Sequence, residues 1–133
     1  MIEISTDKNL LDIEMIHNFL MDAYWSLGRT REEVEKTINH CLCFGVYHDQ
    51  KQIGFARVST DYTVFAYLMD VFILPEYRGN GYAKELIKTI LEEPVLEPCK
   101  VWMLKTSDAH RLYEEFGFTQ LQHPEKVMER ILE

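Results

Sequence analysis

The stretch most suggestive of chemistry runs from Asp70 through Val71-Phe72-Ile73-Leu74-Pro75 to Arg78-Gly79-Asn80-Gly81-Tyr82-Ala83-Lys84. Glycines let another group approach a backbone closely, because they carry no Cβ. Where such a turn opens a helix, the first N–H groups lack intrahelical partners and carry partial positive charge. A phosphate-bearing ligand suits that arrangement. Arg78, Lys84 and Lys88 place cationic side chains on the same turn and helix. Gly-Asn-Gly is equally a hairpin-turn signal, but the residues after it argue for a helix: Ala83, Leu86, Ile87, Ile90 and Leu91 share one helical face. The turn lacks the Gly-Lys-Ser/Thr of a P-loop and the third glycine of a dinucleotide fingerprint.

These residues must be positioned by a strand before the turn and a helix after it. Val71 to Leu74 is too short for a helix and is rich in β-branched and aromatic residues, so it reads as a buried strand that Pro75 terminates. Upstream, Ile13, Ile16, Phe19, Leu20 and Ala23 mark a helix that ends near Gly28. Thr30 and Glu33 have capping-box spacing and open a second helix carrying Val34 and Ile38. Cys43 to His48 and Gln52 to Thr60 read as a hairpin, followed by a central strand from about Val64 to Leu74. Val101 to Leu104 is the next strand, and Thr106-Ser-Asp108 can cap a short helix through Phe116. Phe118 to Leu121 and Lys126 to Leu132 read as closing strands. The expected order is β-α-α-β-β-β-α-β-α-β-β, a mixed α/β fold with helices on both faces of a mixed sheet, in a single domain spanning residues 1–133.

Arg78-Gly79-Asn80-Gly81-Tyr82-Ala83 resembles the Arg/Gln-x-x-Gly-x-Gly/Ala signature of the GCN5-related N-acetyltransferases. Leu112-Tyr113-Glu114-Glu115-Phe116-Gly117-Phe118 is similar to the Leu-Tyr-x-x-x-Gly-Phe ending common in that superfamily. The resemblance implies that acetyl-coenzyme A is the co-substrate. Backbone groups of Phe72, Ile73 and Leu74 would then hold the pantetheine arm, and those of Gly79, Asn80, Gly81, Tyr82, Ala83 and Lys84 the pyrophosphate, with Arg78 beside them. It also implies that the central strand and the next one splay apart to admit the cofactor, and that Tyr113 protonates the leaving thiolate. Read from spacing alone, Tyr113 with Leu112 and Phe116 is equally a packing residue, although an ordinary phenol does stay protonated at neutral pH.

Asp70 is the candidate base. Strict alternation puts Leu68 and Phe72 on its face, and a carboxylate among apolar neighbours needs a reason. It could equally bind a substrate ammonium or pair with Arg57. Tyr24, Trp25, Arg29, Arg57, Asp61 and Tyr67 lie in segments that border the acceptor side in related folds. Trp25 serves as a pocket wall or a core anchor, and Arg57 with Asp61 would suit a zwitterionic acceptor. The expected reaction is direct acetyl transfer to a small-molecule primary amine, without an acyl-enzyme cysteine. The alternatives are a protein or peptide acceptor and a non-catalytic acyl-coenzyme A sensor.

Composition narrows the classes further. A formal charge of −8 in 133 residues argues against nonspecific binding to nucleic acid or an anionic membrane, and suits a cationic amine. Three cysteines favour reduced thiols, and Cys41-Leu-Cys43 is too closely spaced for a zinc pair, so no metal is expected. No apolar run approaches the ~20 residues that span a bilayer, and no leader is apparent, so a cytoplasmic protein is expected. A homodimer is compatible with the resemblance.

Overall fold

The computed structural model describes residues 1–132. One sheet contains β1 (Glu3–Ser5), β2 (Leu42–His48), β3 (Lys51–Thr60), β4 (Phe65–Ile73) and β5 (Val101–Leu104), in that spatial order. Helices α1 (Ile13–Asp22) and α2 (Arg31–His40) precede β2, α3 (Tyr82–Leu91) joins β4 to β5, and α4 (His110–Glu114) follows β5. Neighbouring strands are antiparallel except β4 and β5, which run parallel. This is the mixed α/β fold expected from the sequence.

Local chemistry accounts for most of these elements. The β2–β3 connection is the pair Asp49 and Gln50, both at positive φ (49° and 68°), which matches the twist of the flanking strands. At the start of α2 the Thr30 hydroxyl accepts the Glu33 N–H at 3.1 Å, while the Glu33 carboxylate accepts the Thr30 N–H at 2.8 Å. Leu86, Ile87 and Ile90 form the buried stripe of α3 and pack with Phe44, Val46, Val58 and Leu68 on one face of the sheet. Ile16, Leu20, Val34 and Ile38 of α1 and α2 pack with Cys43, Phe55 and Phe72 on the other.

Two features of β4 differ from simple alternation. Between the pairs Phe55↔Phe72 and Arg57↔Met69, β3 has one residue and β4 has two, so Asp70-Val71 forms a bulge. The extra residue switches the faces: Ala66 and Leu68 join the α3-side core, whereas Phe72 joins the α1–α2 core. Asp70 therefore does not share a face with Leu68, contrary to the period-two reading. In addition, β4 pairs with β5 only from Phe65↔Val101 to Leu68↔Leu104. From Met69 to Ile73 it continues beside β3 alone, leaving a wedge open on its other edge. The ladder stops where β5 ends, at Leu104, so the last residues of β4 have no strand partner on that side among the described residues.

The expected closing strands are absent. Residues 118–132 contain one short turn of 3₁₀ helix (Pro124–Lys126), and Met128, Ile131 and Leu132 are exposed. Alternating polarity marks a strand only where a ladder partner exists, and this segment pairs with no strand among the described residues.

Burial raises three groups well above their ordinary values: the Cys43 thiol and the Tyr47 and Tyr113 phenols are each pushed up to about 12. The unfolded chain gives up these protons first, from about pH 8.5 for the thiol and pH 10 for the phenols. Their contribution to stability is thus fully present below that range and is lost as pH rises toward 12. Urea denaturation is expected to show a steady midpoint from pH 7 to 8 and a falling one at pH 10.5.

Candidate active site

The wedge between β4 and β5 contains a cavity of about 250 Å³, lined among others by Trp25, Arg29, Tyr67, Asp70, Asp108 and Tyr113. Asp70 is its structural centre. One carboxylate oxygen accepts Nε of Arg57 and an Nη of Arg29, both at 2.6 Å, and the other accepts the Trp25 indole N–H at 2.9 Å. Only 1% of its side chain is exposed. Asp70 also adopts φ +53°, a left-handed conformation that costs an L-residue about 1–2 kcal/mol and that Asp tolerates better than most. Three donors, two of them charged, hold it there. Burial works against the Arg57 charge, but Asp70 and the Cys41 sulfur outweigh it and leave the guanidinium pKa above its ordinary value.

This geometry realises the Arg57–Asp70 ion pair. Three donors take up most of the acceptor capacity of the Asp70 carboxylate, so the structure shows it first as an ion-pair partner. Arg57 does not face Asp61 across an acceptor site. Arg57 lies behind Asp70, with an Nη 3.4 Å from Cys41 Sγ. Asp61 accepts the N–H groups of Val64, Thr63 and Phe65 at 2.8, 2.9 and 3.1 Å, which closes the β3–β4 turn and holds its carboxyl below the ordinary value. It does not line the cavity. Aspartate at the first position of a turn makes such bonds for local reasons. Trp25, by contrast, lines the cavity while its indole is tied to Asp70.

Asp108 is the residue missed by sequence reasoning. The Thr106-Ser-Asp108 segment suggested a helix cap, but α4 begins after Ala109 with no side-chain cap, and Thr106 instead closes the turn before it by accepting the Ala109 N–H at 3.0 Å. That leaves the Asp108 carboxylate on the cavity wall, with the Tyr24 hydroxyl 3.4 Å away and Ser107 donating to that hydroxyl at 2.6 Å. Tyr113 of α4 is 8% exposed, packs its ring edge-on against Phe118 and reaches the same cavity. Burial, then the charge of Asp108 and the proximity of Tyr24, push its phenol up to about 12. Among the described residues its hydroxyl has no hydrogen-bond partner.

The glycine turn is built as a donor array. Gly79 and Gly81 have φ of +84° and +78°, and a Cβ on either would meet nothing within 4 Å. Glycine is thus needed for the backbone conformation, and the space above the turn is open. The first hydrogen bond of α3 is from the Glu85 N–H to the Gly81 carbonyl at 3.1 Å, and the N–H groups of Gly81, Tyr82, Ala83 and Lys84 have no partner within the described residues. The surrounding side chains fold onto the protein: Arg78 Nε donates to the Ile73 carbonyl at 2.9 Å, the Asn80 amide to the Tyr77 carbonyl at 3.1 Å, and Lys84 pairs with Glu115 at 3.1 Å. Along β4, the Leu74 N–H bonds the Ile53 carbonyl of β3 at 2.8 Å. By alternation Phe72 also points its backbone groups at β3, while Ile73 and Val71 direct theirs to the open edge. Of the three strand residues expected to meet a cofactor, Ile73 alone has that direction, and Val71 joins it.

The open edge of β4 and the unpartnered N–H groups at the start of α3 lie on one short stretch of chain. A family model, the acetyltransferase (GNAT) family, matches residues 13–118. The chain belongs to that family. A solved structure from Xanthomonas campestris pv. campestris, described as belonging to the GNAT family, is 45% identical with a TM-score of 0.96, covering 99% of this chain and 94% of that one. A Gibberella zeae protein carrying an acetyltransferase name is 26% identical over 138 residues, covering 86% of this chain and 77% of its own length. A Clostridium acetobutylicum structure solved with acetyl-CoA shares the fold at 15% identity and a TM-score of 0.73, covering 98% of this chain and 96% of that one. Among the described residues, no helix is long and apolar enough to cross a membrane.

Replacing Asp70 by Asn keeps the shape but removes the charge between two guanidiniums. Breaking a buried pair this way typically costs about 3–5 kcal/mol. Asp70→Asn is expected to lower the unfolding free energy by about 3 kcal/mol in guanidinium titrations, whereas Asp61→Asn, at an exposed turn, should cost well under half of that.

Proposed function

We propose that the protein transfers the acetyl group of acetyl-CoA to a primary amine of a small molecule, directly within a ternary complex. The observation that carries this reading is the open edge of β4, flanked by the glycine turn's free N–H groups and by the unpartnered hydroxyl of Tyr113. Membership of the GNAT family, which uses acetyl-CoA, supports the cofactor. The fit of the residues is chemical as well: a run of unpartnered amides at a helix N-terminus suits a pyrophosphate. The cavity of about 250 Å³ favours a small acceptor over a protein segment.

In this reading the N–H groups of Gly81, Tyr82, Ala83 and Lys84 bind the pyrophosphate. The edge N–H groups of Val71 and Ile73 align the pantetheine arm as an added strand would be aligned, the Ile73 carbonyl being already bonded to Arg78 Nε. Positioning alone lowers the barrier substantially, because the amine and thioester are held at attack distance. The amine nitrogen bonds to the thioester carbonyl carbon, the carbon–sulfur bond breaks, and Tyr113 gives its proton to the departing sulfur. The proton lost by the amine passes to solvent and restores the phenol. A phenol held near 12 remains protonated across the physiological range, so its proton is in place when the thiolate departs. Asp70 maintains the wall of the site and its backbone shape; it is a positioning residue in this scheme.

Calorimetric titration with acetyl-CoA, followed by thiol-release assays over an amine panel, tests the proposal. Micromolar binding and amine-dependent thiol release are expected. Tyr113→Phe should lower kcat on the order of 10²-fold while acetyl-CoA affinity stays unchanged. Absence of acetyl-CoA binding to the folded wild type would refute the reading.

A further inference from the structure

The charges around the cavity are unevenly paired. Asp70 carries one negative charge and is met by two guanidiniums, Arg57 and Arg29. Arg57 gives one donor to Asp70 and one to Cys41 and lies behind Asp70, off the cavity wall. Arg29 makes a single hydrogen bond, from one Nη to Asp70, and its side chain is 19% exposed. A guanidinium presents five N–H groups in a fixed fork, so most of those on Arg29 are unused in a largely desolvated place. Lys105, the other cation on the cavity wall, is paired with Glu129. Asp108, the remaining carboxylate of the wall, has only the distant contact with Tyr24 and is in no ion pair among the described residues.

Arg29 shares its one counter-charge, Asp70, with Arg57, and a planar fork with free donors matches a carboxylate bidentately. An ammonium, in turn, suits Asp108, whose charge also reaches Tyr113. We infer that the acceptor is an amino acid-like zwitterion, its carboxylate held by Arg29 and its ammonium met by Asp108 before deprotonation. The inference rests on the acetyl transfer proposed above and names the acceptor class. It replaces Arg57 and Asp61, the pair expected from the sequence, with a pair that lines the same cavity.

The test compares wild-type turnover of free L-amino acids and ω-amino acids with that of their carboxamides and of the corresponding decarboxylated amines, at saturating acetyl-CoA. Hydrogen bonds to charged groups predict at least a tenfold higher kcat/KM for the best free acid than for its two neutral-ended counterparts. Arg29→Gln, which keeps a donor toward Asp70, should erase that preference through KM, and Arg29→Lys should restore part of it. Asp108→Asn should raise KM for the acid without changing acetyl-CoA affinity. Equal or faster turnover of the decarboxylated amines overturns the inference and leaves the acetyltransferase reading standing. So does turnover of neutral amines with no turnover of any acid. A protein that fails to bind acetyl-CoA overturns both.

Discussion

The Asp70 carboxylate is the constraint on which the site depends. It sits where β4 contains one residue more than β3 can match, in a left-handed conformation that needs external support. Arg57 supplies that support from β3, and Arg29 and Trp25 supply it from the arm between α1 and α2. One side chain thus ties the strand to its neighbour and to the connection that closes over it. Because the bulge switches which face each later residue of β4 occupies, Phe72 can join the α1–α2 core and Ile73 the α3 core. The strand beyond Asp70 is thereby packed on both faces although one of its edges is open.

That open edge converts packing into binding capacity. A strand paired on both sides has no backbone groups to offer, whereas β4 beyond Leu68 is paired with β3 alone. The helix that follows begins at a glycine with no side-chain cap, so its first amides are likewise unspent. In an ordinary helix an Asp, Ser or Thr at that position would satisfy one of them. Two sets of backbone donors, one on a strand edge and one at a helix start, are left available by the same short stretch of chain. Tyr113 faces the wedge from the opposite side, kept neutral by burial.

Features set by neighbouring residues were readable from the sequence, and those set by register were not. Gly79 and Gly81, the Thr30–Glu33 box and the apolar stripe of α3 are local, and their chemistry has few alternatives. The bulge at Asp70 left no mark in the alternation of Ala66, Leu68, Asp70 and Phe72, because only the pairing with Arg57 and Met69 reveals the extra residue. Asp61 and Asp108 look alike in sequence, each in a short polar stretch before an element. One is consumed by three backbone amides, while the other caps no helix and accepts no backbone amide, because Thr106 closes its turn. The closing strands failed for a related reason: Lys126 to Leu132 has the composition of a strand but no ladder in which to use it.

Backbone amide hydrogen exchange, followed with and without acetyl-CoA, addresses the central claim most directly, since that claim assigns the cofactor to named N–H groups. The account predicts that acetyl-CoA slows exchange at Gly81 to Lys84 and at Val71 and Ile73, with the amides of Phe72 and Leu74, already bonded toward β3, changed far less. Unchanged exchange at both the turn and the strand edge, under conditions where acetyl-CoA is bound, would contradict it.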